Sequence, residues 1–162
     1  MRAAYDYGAD AVYAGSPRYS LRARNNEFAK LDVLEQGIKE AHERNKKFFL
    51  TVNTLPHNSK LKTFVSDMEP LIAMKPDALI MADPGLIMTV REKWPEMPIH
   101  LSVQANTTNY WGVKFWQNIG VERIILSREL SMEEIAEIRQ ECPDIELEVF
   151  IHGALCIAYS GS

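Results

Sequence analysis

Cysteine is scarce: only Cys142 and Cys156 occur among the 162 residues. Two are too few for a disulfide scaffold, so a reducing cytoplasm is the simpler setting. No apolar run approaches the roughly 18 residues that a membrane-spanning helix needs, and the first residues lack a secretory leader pattern, so no membrane partner is expected. Positive charge is in short supply too. With 18 basic against 22 acidic residues the formal net charge is −4, which excludes a general attraction to phosphate or lipid headgroups. Any contact with nucleic acid must come from a local basic patch. There is no G-x-S-x-G elbow, no H-E-x-x-H, no P-loop and no G-x-G-x-x-G, so the hydrolase, zinc-protease and nucleotide-binding classes marked by those motifs find no support. Neither a fixed-period repeat nor a low-complexity linker interrupts the chain.

What is present is the composition of one globular domain over residues 1–162, 46% apolar and 25% charged, long enough to bury a sizeable core. Short β-branched apolar runs alternate with amphipathic stretches. Six runs predict strands, at 10–14, 47–53, 77–82, 99–104, 123–127 and 146–152. Between them apolar residues recur at helical spacing. Leu31, Leu34, Ile38 and Ala41 form one stripe; Leu61, Phe64, Val65, Met68, Leu71 and Ile72 form another. Ile87, Val90 and Trp94 suggest a third, and Trp111, Phe115, Trp116 and Ile119 a fourth. The Trp, Phe and Met residues of these stripes are expected to pack helix against sheet. Ser131 with Glu134 makes a capping box, and Gly120 stands where a helix end favours a left-handed residue.

Strand and helix in strict alternation imply an α/β fold with a parallel sheet. Periodicity alone leaves an open doubly wound sheet and a closed barrel both possible. The strand faces separate them. Over residues 99–106, Ile99, Leu101, Val103 and Ala105 alternate with His100, Ser102, Gln104 and Asn106; over 146–152, Leu147, Val149 and Ile151 alternate with Glu146, Glu148, Phe150 and His152. A sheet covered on both faces reads apolar throughout, whereas a polar face suits strands that line a barrel. The expectation is therefore a partial TIM-type (β/α)₈ barrel of about six parallel strands, its first and last strands missing, truncated from a longer protein. Its unpaired sheet edges invite self-association.

In such barrels the active site lies at the C-terminal ends of the strands. Read in order, those ends carry Tyr13 and Gly15, Asn53, Asp83, Gln104 and Asn106, then Ser127, Arg128 and Glu129, then Glu148, His152 and Cys156. Tyr13, Asn53, Gln104, Asn106, Arg128 and Glu129 are candidates for substrate binding, the uncharged amides because they both donate and accept. Asp83, Glu148 and His152 are candidate catalytic residues. Asp83, before Pro84, is equally a helix N-cap. Glu148, a carboxylate on an inner face, needs a partner, for which Arg128 and His152 are at hand. The loop 18–26 holds Arg18, Arg22 and Arg24 with Tyr19 and no acid before Glu27. It reads either as an RNA or phosphate contact with Tyr19 free to stack, or as a solvated loop.

Glu148, Phe150, Gly153, Ala154, Leu155, Cys156 and Gly161 stand at the fixed positions of E-x-F-x-x-G-[SA]-[LM]-C-x-x-x-x-G-x-C. That pattern is the signature of the collagenase-like peptidase family of unassigned catalytic type, which the chain closely resembles. YGADAVYAG at 7–15, RNNEF at 24–28, DPG at 83–85, SVQAN at 102–106 and SREL at 127–130 extend the resemblance along the chain. The resemblance implies a bacterial, cytoplasmic member of the branch that hydroxylates RNA, acting on tRNA to turn the wobble uridine into 5-hydroxyuridine. It further implies a 4Fe-4S cluster with Cys156 as a ligand, since such clusters sit on thiolates, and prephenate as the small-molecule co-substrate. The family label offers an alternative, a peptidase, for which His152 and Cys156 are the one base–nucleophile pair in view. A non-catalytic barrel that binds a ligand or partner is the third possibility.

Overall fold

The computed structural model describes residues 1–21 and 27–153, and the chain folds as two compact units, Met1–Asp83 and Pro84–Ser162. Each holds three parallel strands taken in chain order with helices between them. Six parallel strands with intervening helices are the repeat of the (β/α) barrel class expected from the alternation. Among the described residues no helix is long and apolar enough to cross a membrane.

The first unit runs α1 (Arg2–Asp6), β1 (Ala11–Gly15), α2 (Leu31–Glu43), β2 (Lys47–Val52), α3 (Asn58–Leu61), α4 (Phe64–Ala73) and β3 (Ala78–Met81). Tyr13 of β1 lies opposite Phe49 of β2, and Phe49 opposite Ala78 of β3. Because side chains alternate along a strand, Phe48, Leu50, Val52, Leu79 and Met81 share one face, and all are fully buried. The helix stripes are buried as well through Leu34, Ile38, Ala41, Phe64, Met68 and Leu71, though Leu31 and Leu61 at the helix ends stay exposed. The opposite face carries Tyr13, Phe49, Thr51 and Ile80, of which Tyr13 is 45% exposed. At the N-terminal end of β3, the Asp77 carboxylate accepts from the backbone N–H of Phe48 (2.8 Å) and lies 3.0 Å from His42 Nε2, which joins α2, β2 and β3 at one point.

The second unit runs α5 (Pro84–Lys93), β4 (Ile99–Leu101), a 3₁₀ turn (Val103–Ala105), α6 (Tyr110–Asn118), β5 (Arg123–Ile125), α7 (Met132–Glu141) and β6 (Glu146–Glu148). His100 lies opposite Arg123, and Arg123 opposite Glu146. One face therefore carries Ile99, Leu101, Ile124 and Leu126, all buried, and the other His100, Arg123, Ile125, Glu146 and Glu148. The capping box opens α7: Ser131 Oγ accepts from the Glu134 N–H, and the Glu134 side chain accepts from the Ser131 N–H. Gly120, after α6, takes φ +87°. Its carbonyl accepts from Arg91 of α5, which also donates to the carbonyl of Met97 at 3.0 Å.

Three expectations change. The fourth strand ends at Leu101 rather than 104, because Ser102 accepts from the Gln104 N–H and starts the 3₁₀ turn. The sixth strand ends at Glu148, which leaves Val149 and Ile151 exposed instead of packed. The fourth apolar stripe has the wrong phase. Val113 is the buried residue of α6, while Trp111 and Phe115 are 70% and 54% exposed. At about 100° per residue, positions two before and two after Val113 both point about 160° away from it.

Gly37 of α2 has a packing role. A Cβ there would stand 2.6 Å from Cε1 of the Phe28 ring, which rests edge-on against Phe48 at 5.4 Å between centroids. Alanine in a helix interior gains about 1 kcal/mol over glycine, but overpacking costs about 1–3 kcal/mol. Gly37→Ala is thus expected to lower the melting temperature, and Phe28→Leu in the same chain to restore it. A Gly37→Ala melting temperature at or above wild type would show that the ring moves aside freely.

Candidate functional site

In the first unit the loop after β1 is tied to the end of β2. The Ser16 N–H donates to the Thr51 carbonyl (2.9 Å), the Thr54 N–H to the Tyr19 carbonyl (3.1 Å) and the Leu21 N–H to Asn53 Oδ1 (3.3 Å). Tyr19 itself is fully buried, its ring edge-on to Phe64 at 5.1 Å. The ring is neither free to stack on RNA nor part of a solvated loop, the two readings the sequence left open, but a strut inside the protein.

The strut ends on Asp67, in the first turn of α4. One oxygen of that carboxylate, Oδ2, accepts from Tyr19 Oη (2.6 Å), from Thr63 Oγ1 (2.8 Å) and from Arg18 Nη1 (2.8 Å). The Tyr19 bond, then Thr63 and Arg18, hold the Asp67 carboxyl below the usual carboxylate range, and burial with the same contact pushes the Tyr19 hydroxyl above its own. The helix N-terminus adds to the effect on Asp67, because its dipole favours negative charge. Asp67 is not among the residues that motif or strand-end position singles out. Its signal was available, since it ends a stretch from 44 to 66 without a single acidic residue.

The other candidates of this unit lie separately. Tyr13 is half-exposed on β1, and Asp83 directly precedes Pro84 at the start of α5, the N-cap position. Arg22 and Arg24 lie outside the described residues.

In the second unit Gln104 and Asn106 belong to the 3₁₀ turn beyond β4 rather than to the strand. Gln104 is half-buried; Asn106 is exposed and left-handed, with φ 50°. Asparagine tolerates that conformation better than most residues, which gives this amide a backbone reason for its place. Ser127 is buried, and its hydroxyl donates to the Glu129 carboxylate. Arg128 lies over the Phe150 ring, 4.1 Å from its centroid, a cation–π contact. Glu148 was expected to pair with Arg128 or His152. Its partner is Arg123, at 3.2 Å, which also holds Glu146 at 2.6 Å. Arg123 stands at the start of β5, so the pair draws the Glu148 carboxylate away from the strand ends. His152 is exposed beyond β6.

A four-iron cluster needs several thiolates. Among the described residues no group of three His, Cys, Asp or Glu converges as a metal site. The one described cysteine, Cys142, is buried, and burial pushes its thiol up, away from the thiolate form. The described residues therefore do not fit the cluster; Cys156 lies outside them. The same Cys142 is a poor nucleophile, because the thiolate is the reactive species.

Comparison with known proteins adds to this geometry. The model of peptidase family U32 matches residues 1–162. The chain is 68% identical over 161 residues to tRNA hydroxylation protein P of Haemophilus influenzae and 66% identical to the protein of the same name from Escherichia coli. Each match covers 99% of this chain and 35% of the relative, so the chain spans about a third of their length. A solved structure of a U32 peptidase superimposes with a TM-score of 0.72 at 16% identity, over 88% of this chain and 60% of that one. At that identity the likeness speaks for the fold alone.

The clamp on Asp67 has a pH signature. A carboxyl depressed on folding stabilises the protein above its unfolded pKa, about 3.9, and loses that contribution as pH falls through the folded value. Asp67→Asn is expected to cost about 1 kcal/mol at pH 7, since hydrogen bonds to charged groups are the stronger ones, and to flatten the loss of stability below about pH 4. Denaturant melts across that pH range check this; parallel curves for the two proteins would contradict it.

Proposed function

We propose, because the chain belongs to peptidase family U32, that it forms part of an RNA-hydroxylating enzyme that acts on tRNA in the cytoplasm and converts wobble uridine to 5-hydroxyuridine. The observation that carries the reading is the identity of 68% and 66% over 161 residues to two proteins named for tRNA hydroxylation. The match covers 99% of the chain.

The chemistry at the strand ends supports it. A pyrimidine base held outside its stack is read through hydrogen bonds to its edge and through flat contacts on its faces. Gln104 and Asn106 supply amide donors and acceptors near one another on a 3₁₀ turn. Arg128, flattened on Phe150, supplies a cation suited to a carboxylate or phosphate, and a dicarboxylate such as prephenate is the co-substrate in this reading. Glu129 takes the Ser127 hydroxyl and keeps a carboxylate beside Arg128. Cys156 would be the ligand that this chain contributes to a 4Fe-4S cluster, and the cluster would supply electron transfer. Asp83 and His152 are the acid–base or orienting groups of this reading, while Glu148, paired with Arg123, is withdrawn from it. The peptidase reading rests on His152 with Cys156, which lies outside the described residues; the described thiol, Cys142, is buried, and burial pushes it away from the thiolate form.

Deletion of the gene is expected to remove most 5-hydroxyuridine from tRNA digests measured by mass spectrometry, and re-expression to restore it. Cys156→Ala is expected to fail to restore it, at wild-type protein level and melting temperature, whereas Cys142→Ala restores it. Unchanged nucleoside in the deletion strain would end this reading.

A further inference from the structure

On a chain of net charge −4, positive charge gathers around Tyr19. The stretch 11–26 has no acidic residue, nor has 44–66. These are the segments that lead from β1 and β2 into the loops of the first unit, and Tyr19 binds them together. Its hydroxyl reaches both Asp67 and, at 3.3 Å, the Lys60 carbonyl. Lys60, in α3, and Lys62, just after it, are exposed. Arg18 lies against the Tyr19 ring, its Cζ 5.9 Å from the centroid, with 52% of its side chain exposed. One arm of its guanidinium is fixed on Asp67.

We propose that Arg18, Lys60 and Lys62, assembled on the buried Tyr19, form a phosphate-contacting surface for RNA, in which Asp67 is the residue that positions Arg18. The inference rests on the RNA reading above and gives it a surface. Its logic is that of preorganisation. A free arginine carries about 2 kcal/mol of rotamer entropy, much of it lost on binding a phosphate. Tethering one arm to a carboxylate removes part of that cost beforehand and leaves the rest of the planar fork for an oxyanion. Two lysines on an adjoining turn add point charges, and such contacts carry affinity without reading sequence. Three cations stand against the one carboxylate that holds Arg18, so the patch stays positive where the chain as a whole is not.

The test is binding of tRNA to the intact protein as a function of salt. Lys60→Ala with Lys62→Ala is expected to weaken binding roughly 10-fold at moderate salt and to lower the slope of log affinity against log salt by about 2, close to one per phosphate contact. Arg18→Gln lowers the slope by about 1. Asp67→Asn separates two accounts by sign. Charge alone makes it bind RNA more tightly, because an acid leaves a basic patch; positioning makes it bind more weakly, in a protein that thermal melts show folded. Weaker binding is expected. Tighter binding by Asp67→Asn overturns the positioning role, and wild-type affinity and slope in the lysine variant overturn the surface while tRNA binding itself stands. A wild-type protein that does not bind tRNA even at low salt overturns both this surface and the RNA reading. Polyglutamate that displaces tRNA at equal charge concentration points instead to an acidic protein partner and also overturns the proposal.

Discussion

A strand has two faces, and β2 and β3 in the first unit, like β4 and β5 in the second, bury one of them. That constraint governs the rest. Phe48, Leu50, Val52, Leu79 and Met81 in the first unit, with Ile99, Leu101, Ile124 and Leu126 in the second, are buried to the point where little of them meets water. At about 25 cal/mol per Å² of apolar surface removed from water, these layers supply the main stabilisation, and the polar arrangements elsewhere depend on it. The other faces differ between the units. In the first it is mostly apolar, with Phe49 and Ile80 buried; in the second it carries His100, Arg123, Glu146 and Glu148. Charge on such a face is sustained by pairing, which is why Arg123 bridges two glutamates.

The loops at the strand ends are ordered by a different means. A loop has few apolar side chains with which to offset the roughly 1–2 kcal/mol of backbone entropy lost per residue. The loop after β1 solves this by burying one whole aromatic, Tyr19, and satisfying its hydroxyl on Asp67. A buried hydroxyl without a partner costs about 1–3 kcal/mol, so the ring and the carboxylate depend on each other. Truncating either leaves the other's polar group in a poor environment. The same carboxylate holds Arg18, so the geometry of a surface cation follows from the packing of an interior ring. In the second unit Ser102 plays a comparable part on a smaller scale, ending β4 and turning Gln104 and Asn106 out of the strand.

Local regularities were readable in the sequence, and long-range pairings were not. Continuous apolar runs such as 47–52, the capping box at Ser131 and the glycine at 120 each depend on near neighbours, and each has its expected form. The expected strand ends overran because alternation continues past the last ladder bond: nothing in the period-two pattern distinguishes Gln104 on a strand from Gln104 on a 3₁₀ turn. The phase of α6 was misread because two large aromatics outweighed the smaller Val113, although shape against the sheet decides burial and size does not. Tyr19 looked exposed because loops usually are; its partner Asp67 is 48 residues away. The sequence offered Glu148 two partners, His152 and Arg128, the latter three residues past the end of the neighbouring strand, whereas Arg123 reaches it through strand register, which only the folded sheet defines.

Membership of a family named for peptidases and likeness to proteins named for tRNA hydroxylation pull toward different chemistries, and the described residues help to weigh them. Hydrolysis of a peptide requires an activated nucleophile beside a base. Cys142 does not supply one: burial raises its thiol, and its sulfur contact is to the Tyr110 carbonyl at 3.7 Å, an acceptor that favours the protonated form; the candidate pair of His152 and Cys156 includes a residue outside the described ones. Recognition of a nucleotide makes other demands, namely uncharged donors and acceptors for a base edge, a flat cation for an anionic group, and separated positive charge for the backbone. Under the proposed reading, Gln104 and Asn106 with Arg128 on Phe150 in the second unit meet the first two demands, and the proposed surface around Tyr19 in the first unit meets the third, each unit taken by itself. A fold shared across a family does not carry function with it; function has to be argued from the side chains at the strand ends, and under the proposed reading those serve binding and orientation.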